Sequence, residues 1–340
     1  MRLLHLMAGG EAGGAETYFT EAVAALAEAG VEQHIVMRPN PARDAALAKA
    51  GVPVTHAPFG KILKFATRRK IKETIAAFRP TVVQAWMGRA ASFLPVEKNI
   101  TRVGWFGGYY DLKRYDNADH FVGVTYGIAR YLREQGLDAN CVHTVHTFAA
   151  LDDLPAVSRA DFSTPAHAPL LLFLGRLHEK KGVDIALKAL AGLPHCYLWI
   201  AGEGPLRAKL EAQAKELGVE RRVRFLGWRQ DRGALLRAAD MLLVPSRYEP
   251  FGTVMVEAWA TARPLIAAAS AGPSAYVEDG ENGLLVPVDD ALALAAAVRR
   301  VLAEEGLRER LIAGGTRTYH ALFTREKIVR SWLEFYKRIQ

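Results

Sequence analysis

Short apolar runs rich in β-formers alternate with longer Ala- and Leu-rich segments of helical period along almost the whole chain, and no other feature narrows its fold so far. That alternation is the signature of βα units with parallel strands. In the first half, strands are expected at Leu3–Met7, Glu32–Met37, Thr81–Trp86, Arg102–Phe106, His120–Thr125 and Cys141–Val145. In the second half they are expected at Leu170–Gly175, Cys196–Gly202, Arg222–Gly227, Met241–Ser246, Pro264–Ala268 and Gly283–Val288. Between the halves, Ala150–Pro169 carries three prolines and no sustained period, which reads as an interdomain linker. With 340 residues, two domains are expected, each large enough to bury its own core. Two open α/β domains joined there would point the C-terminal ends of their strands, where such sheets bind ligands, at a shared cleft.

Composition narrows the class further. Half of the residues are hydrophobic, as in an ordinary folded chain, and the two cysteines, Cys141 and Cys196, lie far apart, which supports neither a disulfide framework nor a zinc site. The first residues, MRLLHLMAGGEAGG, end their apolar run at glycines and read as a strand, not a signal peptide. No apolar stretch approaches the roughly 20 residues that span a bilayer, so a cytoplasmic protein is expected. Basic residues outnumber acidic ones by 44 to 36, which favours an anionic partner.

The strand at Leu170–Gly175 runs into GRLHEKKG, placing Arg176 and Lys181 in one strand-to-helix loop. A planar guanidinium and a compact ammonium at that edge suit a diphosphate, although two solvated surface charges would look the same. The next strand ends at AGEGP, where Gly202 and Gly204 allow close backbone approach, and RVRFLG ends at Gly227. MLLVPSRYEPFG then reads as a buried strand, a loop, and Phe251-Gly252 entering a helix at Thr253, whose free N–H groups make an anion site. Glu257 lies one turn into that helix among Val254, Met255, Val256, Ala258 and Trp259, which implies a buried carboxylate able to accept from hydroxyls. Glu249 precedes the turn. The two acids thus bracket a phosphate along a ligand with hydroxyls at both ends, and a sugar nucleotide is such a ligand.

From Arg176 to about Val288 the chain resembles the retaining GT-B glycosyltransferases of family 4. It carries the Glu-x7-Glu motif as Glu249-Pro-Phe-Gly…Glu257, with GRL…KG, GEGP, FLG and EDGENGLLVPVDD in the same order. The resemblance implies a GT-B architecture: two Rossmann-like parallel-sheet domains facing a central cleft, at 1–155 and 156–320, with a helix in 321–340 crossing back to the first. It further implies that Arg176 and Lys181 hold the donor diphosphate and that Phe251, Gly252 and Thr253 give backbone contacts. Glu257 would hold the ribose and Glu249 the transferred sugar. Where relatives carry GGxxE, AGPSA at Ala271–Ala275 lacks the acid.

In the first half, Gly13, Gly14 and Glu16 match the GGAE turn of the same family, which lies near the donor phosphates and the acceptor. Taken as a dinucleotide fingerprint, Gly10, Gly13 and Gly14 do not give GxGxxG, and EQHIVMRPN ends without a ribose acid, which argues against a nicotinamide enzyme. In GWFGGYYDLKRYD, Trp105 and Tyr109 are candidate acceptor contacts through their ring faces, while a core strand reading stays open for Trp105 and Phe106. Gly107 or Gly108 falls where relatives carry a donor-contacting histidine, and His143 and His146 follow later.

GKILKFATRRKIKETIAAF places Lys61, Lys64, Arg68, Arg69, Lys70 and Lys72 among apolar residues, a helix that would suit an anionic membrane surface and a lipid-linked acceptor. A solvated helix face is the alternative, and no nucleic-acid module accompanies the patch. The expectation is a retaining, metal-independent transferase, without cofactor, that uses a nucleotide sugar to extend a cell-surface glycan or glycolipid. A phosphorylase or epimerase on the same scaffold, or a non-catalytic nucleotide-sugar-binding protein, remains the alternative.

Overall fold

The computed structural model describes residues 1–10, 13–60, 64–97 and 99–340. Two compact units divide them, Met1–Phe148 with Arg325–Gln340, and Ala149–Thr324.

The first unit is built on seven parallel strands: β1 (Arg2–Met7), β2 (Glu32–Met37), β3 (Val54–His56), β4 (Val82–Trp86), β5 (Thr101–Phe106), β6 (His120–Gly123) and β7 (Val142–Thr144). Their order is β3-β2-β1-β4-β5-β6-β7. The three-residue edge strand β3 is absent from the sequence expectation because Val-Thr-His beside Pro53 is too short to show a period. Central strands covered on both faces are apolar throughout, and β1 buries Leu3, Leu4, Leu6 and Met7 completely.

His5 interrupts that run, and its hydrogen bonds explain how. The indole N–H of Trp86 donates to His5 Nδ1 at 3.0 Å, so Nδ1 must be the acceptor and Nε2 the proton carrier, facing Gln33 Oε1 at 2.9 Å. Gln33 in turn donates to Val23 O at 3.0 Å. The ring is thus satisfied only when neutral.

The helix Arg325–Arg338 belongs to this unit. Its indole at Trp332 donates to the Tyr18 hydroxyl at 3.0 Å, which donates to His146 O at 3.2 Å, and the Tyr336 hydroxyl donates to Gln84 Oε1 at 2.5 Å. Trp86, Trp105, Tyr18 and Trp332 form one aromatic cluster around these bonds.

The second unit carries β8 (Leu170–Leu174), β9 (Tyr197–Ala201), β10 (Val223–Gly227), β11 (Met241–Val244), β12 (Leu265–Ala268) and β13 (Leu284–Val286), ordered β10-β9-β8-β11-β12-β13. All pairings are parallel. Chain connections leave β8 and β11 toward opposite edges, which makes the gap between their C-terminal ends the switch point where open α/β sheets bind ligands.

The division between the units falls at Phe148 and Ala149, ahead of the 155/156 expected, and the segment Ala150–Pro169 is not a loose linker. Its Asp152 carboxylate accepts from Gly233 N at 2.7 Å and Ala234 N at 3.1 Å, capping the helix Arg232–Ala238. Arg237 Nη2 donates to Asp152 O at 2.7 Å, Val157 N to Ala234 O at 3.3 Å, and Arg159 to Ala238 O. The chain is therefore tied to the second unit from its first residues. At the far end the helix Leu307–Leu322 stays with the second unit, and the division comes after Thr324.

Burial lowers the His5 pKa from the ordinary 6.5 to about 4, against a smaller upward pull from Gln33. A histidine that stays neutral when folded stabilises the fold above the unfolded value, and that stability is lost as pH falls from 6.5 toward 4. The expected loss is on the order of 3 kcal/mol. Urea unfolding of the wild type and of His5→Gln across that range should show the acid limb flattened in the variant.

Candidate functional site

At the switch point of the second sheet, the loop after β8 is shaped by its own residues. His178 Nδ1 accepts from Lys180 N at 3.2 Å, a single 3-10 turn runs through Glu179–Lys181, and Gly182, at φ 66°, turns the chain into the helix Val183–Ala191. A Cβ on Gly182 would lie 2.0 Å from Pro245 O, so this loop meets the one after β11 backbone to backbone. Tyr248 N donates to Lys180 O at 3.1 Å, and Arg247 donates to Glu179 O at 2.7 Å while gripping Asp184 with both nitrogens of its fork at 2.8 and 2.6 Å.

That stitching brings together two of the residues singled out in the sequence. Lys181 Nζ lies 2.5 Å from Glu249 Oε2, which also accepts from Ser246 Oγ at 3.3 Å. Glu249 is buried, whereas Arg176 is exposed at the start of the same loop as Lys181. Glu249 O accepts from Gly272 N at 2.7 Å, which ties the turn to the helix Ala271–Tyr276.

Gly252, at φ 94°, then opens the helix Thr253–Ala260, which begins with no side-chain cap. Met255 N donates to Gly252 O at 2.8 Å, so the N–H groups of Thr253 and Val254 are the ones that face an anion beside Lys181. Phe251 is buried, its ring against Tyr276 and Phe323 at 5.7 Å each, so the side chain anchors the turn and leaves its backbone for contacts.

Glu257 is completely buried one turn along. Arg232 Nη1 stands 2.6 Å from its Oε1, yet neither carboxylate oxygen has a hydrogen-bond partner, so the approach is close without being aligned. Burial raises the Glu257 pKa, Arg232 pulls it down and Asp152 pushes it up. A buried carboxylate held by one misaligned guanidinium keeps acceptor capacity that a ligand's donors could use.

Close packing between loops accounts for two of the glycines. A Cβ on Gly202 would lie 1.8 Å from Gly175 O and one on Gly204 2.5 Å from Leu177 O. Gly227, at φ 71°, sits where the β9 and β10 register shifts.

In the first unit, Glu16 Oε1 accepts from Gly10 N at 2.9 Å, and a Cβ on Gly13 would lie 2.4 Å from Glu16 Oε2. Gly14 is the first residue of the helix Gly14–Glu28 and has nothing within 4 Å of its missing Cβ. The turn thus shapes itself around its own acid.

Trp105 does not offer a ring face to an acceptor. It is 2 % exposed, stacked on Tyr18 with centroids 6.2 Å apart and tilted against Trp86 at 5.1 Å, because β5 is an inner strand and this ring fills the core. Tyr109 is partly exposed, with its ring edge-on to Tyr131 at 5.4 Å. His143 pairs with His120 across 3.2 Å under Phe335, and burial with neighbouring cations lowers its pKa to about 4. His146 Nδ1 bonds Val124 O at 2.8 Å, which gives that ring a structural place.

The basic helix runs Lys64–Phe78, and Lys61, Ile62 and Leu63 lie outside the described residues. Ile71 faces inward, whereas Lys64, Arg68, Arg69, Lys70 and Lys72 are exposed and Phe65 is 80 % exposed beside them. Arg69 and Lys70 share Glu73 at 2.7 and 3.4 Å. Among the described residues, no group of three His, Cys, Asp or Glu side chains is placed to hold a metal ion, and no helix is long and apolar enough to cross a membrane.

Arg232, Arg247 and Asp184 escaped the sequence reading. Arg247 stands two residues before Glu249, the one local signal available. Nothing in the spacing of DRGALL connects Arg232 with Glu257, since only the packed fold brings their helices together.

With this geometry in place, comparison with known proteins is informative. Residues 157–318 match the family model of the glycosyl transferases group 1, and residues 12–153 match glycosyltransferase family 4. The chain is 36 % identical to the lipopolysaccharide core biosynthesis glycosyltransferase LpsE of Rhizobium meliloti (strain 1021), over 96 % of each chain. It is 34 % identical to LpsD of the same organism, over 99 % of this chain and 98 % of the relative. Its fold matches that of Anabaena Alr3699/HepE, solved in complex with UDP-glucose, with a TM-score of 0.86 over 99 % of this chain and 100 % of the other at 21 % identity.

Gly202→Ala should displace the loop at Gly175 and destabilise the second unit by about 1 to 3 kcal/mol. Differential scanning calorimetry should read this as a melting temperature several degrees lower, while Gly14→Ala, with open space for its Cβ, should melt close to the wild type.

Proposed function

The chain belongs to the group 1 glycosyltransferases of family 4, and from that membership we propose that it moves a sugar from a nucleotide-sugar donor to a hydroxyl of a lipopolysaccharide-type glycan or glycolipid. The observation that carries this is the ion pair of Lys181 and Glu249 beside an uncapped helix start, with the buried Glu257 carboxylate one turn behind. Cation, N–H dipole and buried acceptor follow one another in the order in which a sugar nucleotide presents diphosphate and ribose. The names of LpsE and LpsD support the lipopolysaccharide assignment, and the UDP-glucose held by the Anabaena protein supports the donor class.

In the proposed reaction the bond between the sugar anomeric carbon and the diphosphate oxygen breaks, and the acceptor oxygen bonds that carbon on the same face. The acceptor proton passes to the departing phosphate oxygen, so atoms and charge balance without a covalent sugar intermediate on the protein. Arg176, Lys181 and the N–H groups at Gly252 and Thr253 stabilise the charge that develops on the diphosphate, the role a metal plays elsewhere. Glu249 keeps the Lys181 ammonium at that spot and accepts from hydroxyls of the transferred sugar. In this reading Gly13 and Gly14 serve the donor, and Glu16 and Tyr109 the acceptor.

We further propose a cytoplasmic protein that can bind peripherally to the inner face of the plasma membrane. Phe65 and the exposed cations of the helix Lys64–Phe78 support this, since an exposed aromatic among lysines and arginines suits an anionic leaflet.

Purified protein titrated with UDP-, GDP- and ADP-sugars, UDP-glucose first, should show a thermal shift with one base, abolished by Arg176→Ala and by Glu257→Ala. Glu249→Gln should lower transfer by about 100-fold or more at unchanged melting temperature. No shift with any nucleotide would favour a different ligand, and turnover that depends strictly on inorganic phosphate would favour a phosphorylase. Sedimentation with phosphatidylglycerol vesicles should fall when Phe65→Ser is combined with Arg68→Gln and Lys72→Gln, and no change would remove the membrane from the reading.

A further inference from the structure

Glu257 poses a problem that the donor-site reading does not resolve. Its side chain is fully buried in a helix whose Met255, Val256, Ala258 and Trp259 are buried as well. A carboxyl in such surroundings tends to keep its proton, and a protonated carboxyl turns one of its acceptors into a donor. Two ribose hydroxyls that donate one to each oxygen are held more strongly by the ionised form, whose bonds are charge-assisted.

Arg232 stands against this tendency. Its Nη1 lies 2.6 Å from Glu257 Oε1 without the alignment of a hydrogen bond, so it supplies charge against one oxygen and leaves Oε2 without a donor. The guanidinium is itself held, with Nη2 donating to Ala150 O at 3.1 Å. The helix that Arg232 begins is capped by the Asp152 carboxylate through Gly233 N and Ala234 N. Arg232 and Asp152 are the charges that act on Glu257, and their signs oppose each other.

We infer that Arg232 is the positioning residue of the nucleotide site, holding the Glu257 carboxylate ionised so that it accepts hydrogen bonds from the ribose of the donor. The inference rests on the donor-site reading above. Arg232 acts through Glu257, and Asp152, at the start of the same helix, works against it.

The signs separate this role from a merely structural one. Nucleotide affinity should fall as pH drops through the Glu257 titration, because the ionised form is the one that binds. Removing the Arg232 charge takes away a downward influence on that pKa, so the midpoint of the loss moves to higher pH. Removing the Asp152 charge moves it to lower pH.

Calorimetric titration of UDP, GDP and ADP into the full chain between about pH 5 and 9 tests this, with Arg232→Met, Arg232→Lys, Asp152→Asn and Glu257→Gln. Arg232→Met should shift the midpoint upward and weaken affinity by about tenfold on the acid side, with most of it restored by Arg232→Lys. Asp152→Asn should shift it downward. Uniformly weaker binding at every pH in Arg232→Met would overturn the inference. If Glu257→Gln binds nucleotide as the wild type does, or if none of the three nucleotides binds the wild type, the donor-site reading itself falls. Loss in Glu257→Gln with an unmoved Arg232→Met midpoint defeats the Arg232 inference alone. Should Arg232→Met fail to fold, the Arg232→Lys and Asp152→Asn midpoints decide by their relative order.

Discussion

The site depends on backbone meeting backbone at the C-terminal edge of the second sheet. The loop after β8 touches the loop after β11 where Gly182 faces Pro245 O, and the turn after β9 rests on Gly175 and Leu177 through Gly202 and Gly204. With no side chain between them, the loops have little room to shift, and the charged groups they carry inherit that rigidity. Arg247 then fixes the same two loops from outside, with a fork on Asp184 and its Nε 2.5 Å from Asp289. Pre-set geometry of this kind is what electrostatic stabilisation of a leaving group needs, because donors already in place do not have to reorganise when charge develops.

The charges in the second unit are arranged by burial as much as by distance. In the Lys181 and Glu249 pair the ammonium keeps some access to water while the carboxylate is buried, so a ligand anion can take over Lys181 when sugar hydroxyls take over Glu249. Glu257 is sealed among apolar neighbours, where an uncompensated charge is expensive and a neighbouring arginine matters far more. The first unit solves the corresponding problem by neutrality: His5 keeps its proton on one nitrogen and lends the other to Trp86.

Much of this was readable from residues alone. The βα alternation specified two parallel sheets because period two and period 3.6 segments are long enough to show, whereas Val54–His56 was too short to do so. Glu249, Gly252, Thr253 and Glu257 were readable because a strand end, a helix start and one helical turn fix their relative places locally. Arg232 was not, since its nearness to Glu257 arises only when two helices pack. Trp105 was misread for the related reason that an aromatic beside glycines looks the same whether its strand lies inside a sheet or at its edge. The linker at Ala150–Pro169 looked loose because proline and small polar residues signal irregular backbone, and irregular backbone can still be firmly bonded, as Asp152 and Arg159 are.

The helix Arg325–Arg338 completes the first unit although 176 residues of the second, Ala149–Thr324, intervene in the chain. During synthesis the second unit emerges as one continuous stretch and can close on itself, while the first waits for Trp332 and Tyr336 to reach Tyr18 and Gln84. Until then its aromatic cluster lacks a wall, and apolar surface that will be core is open to other chains. The order of maturation is thus the reverse of the order of translation, and the earliest residues made are the last to be protected.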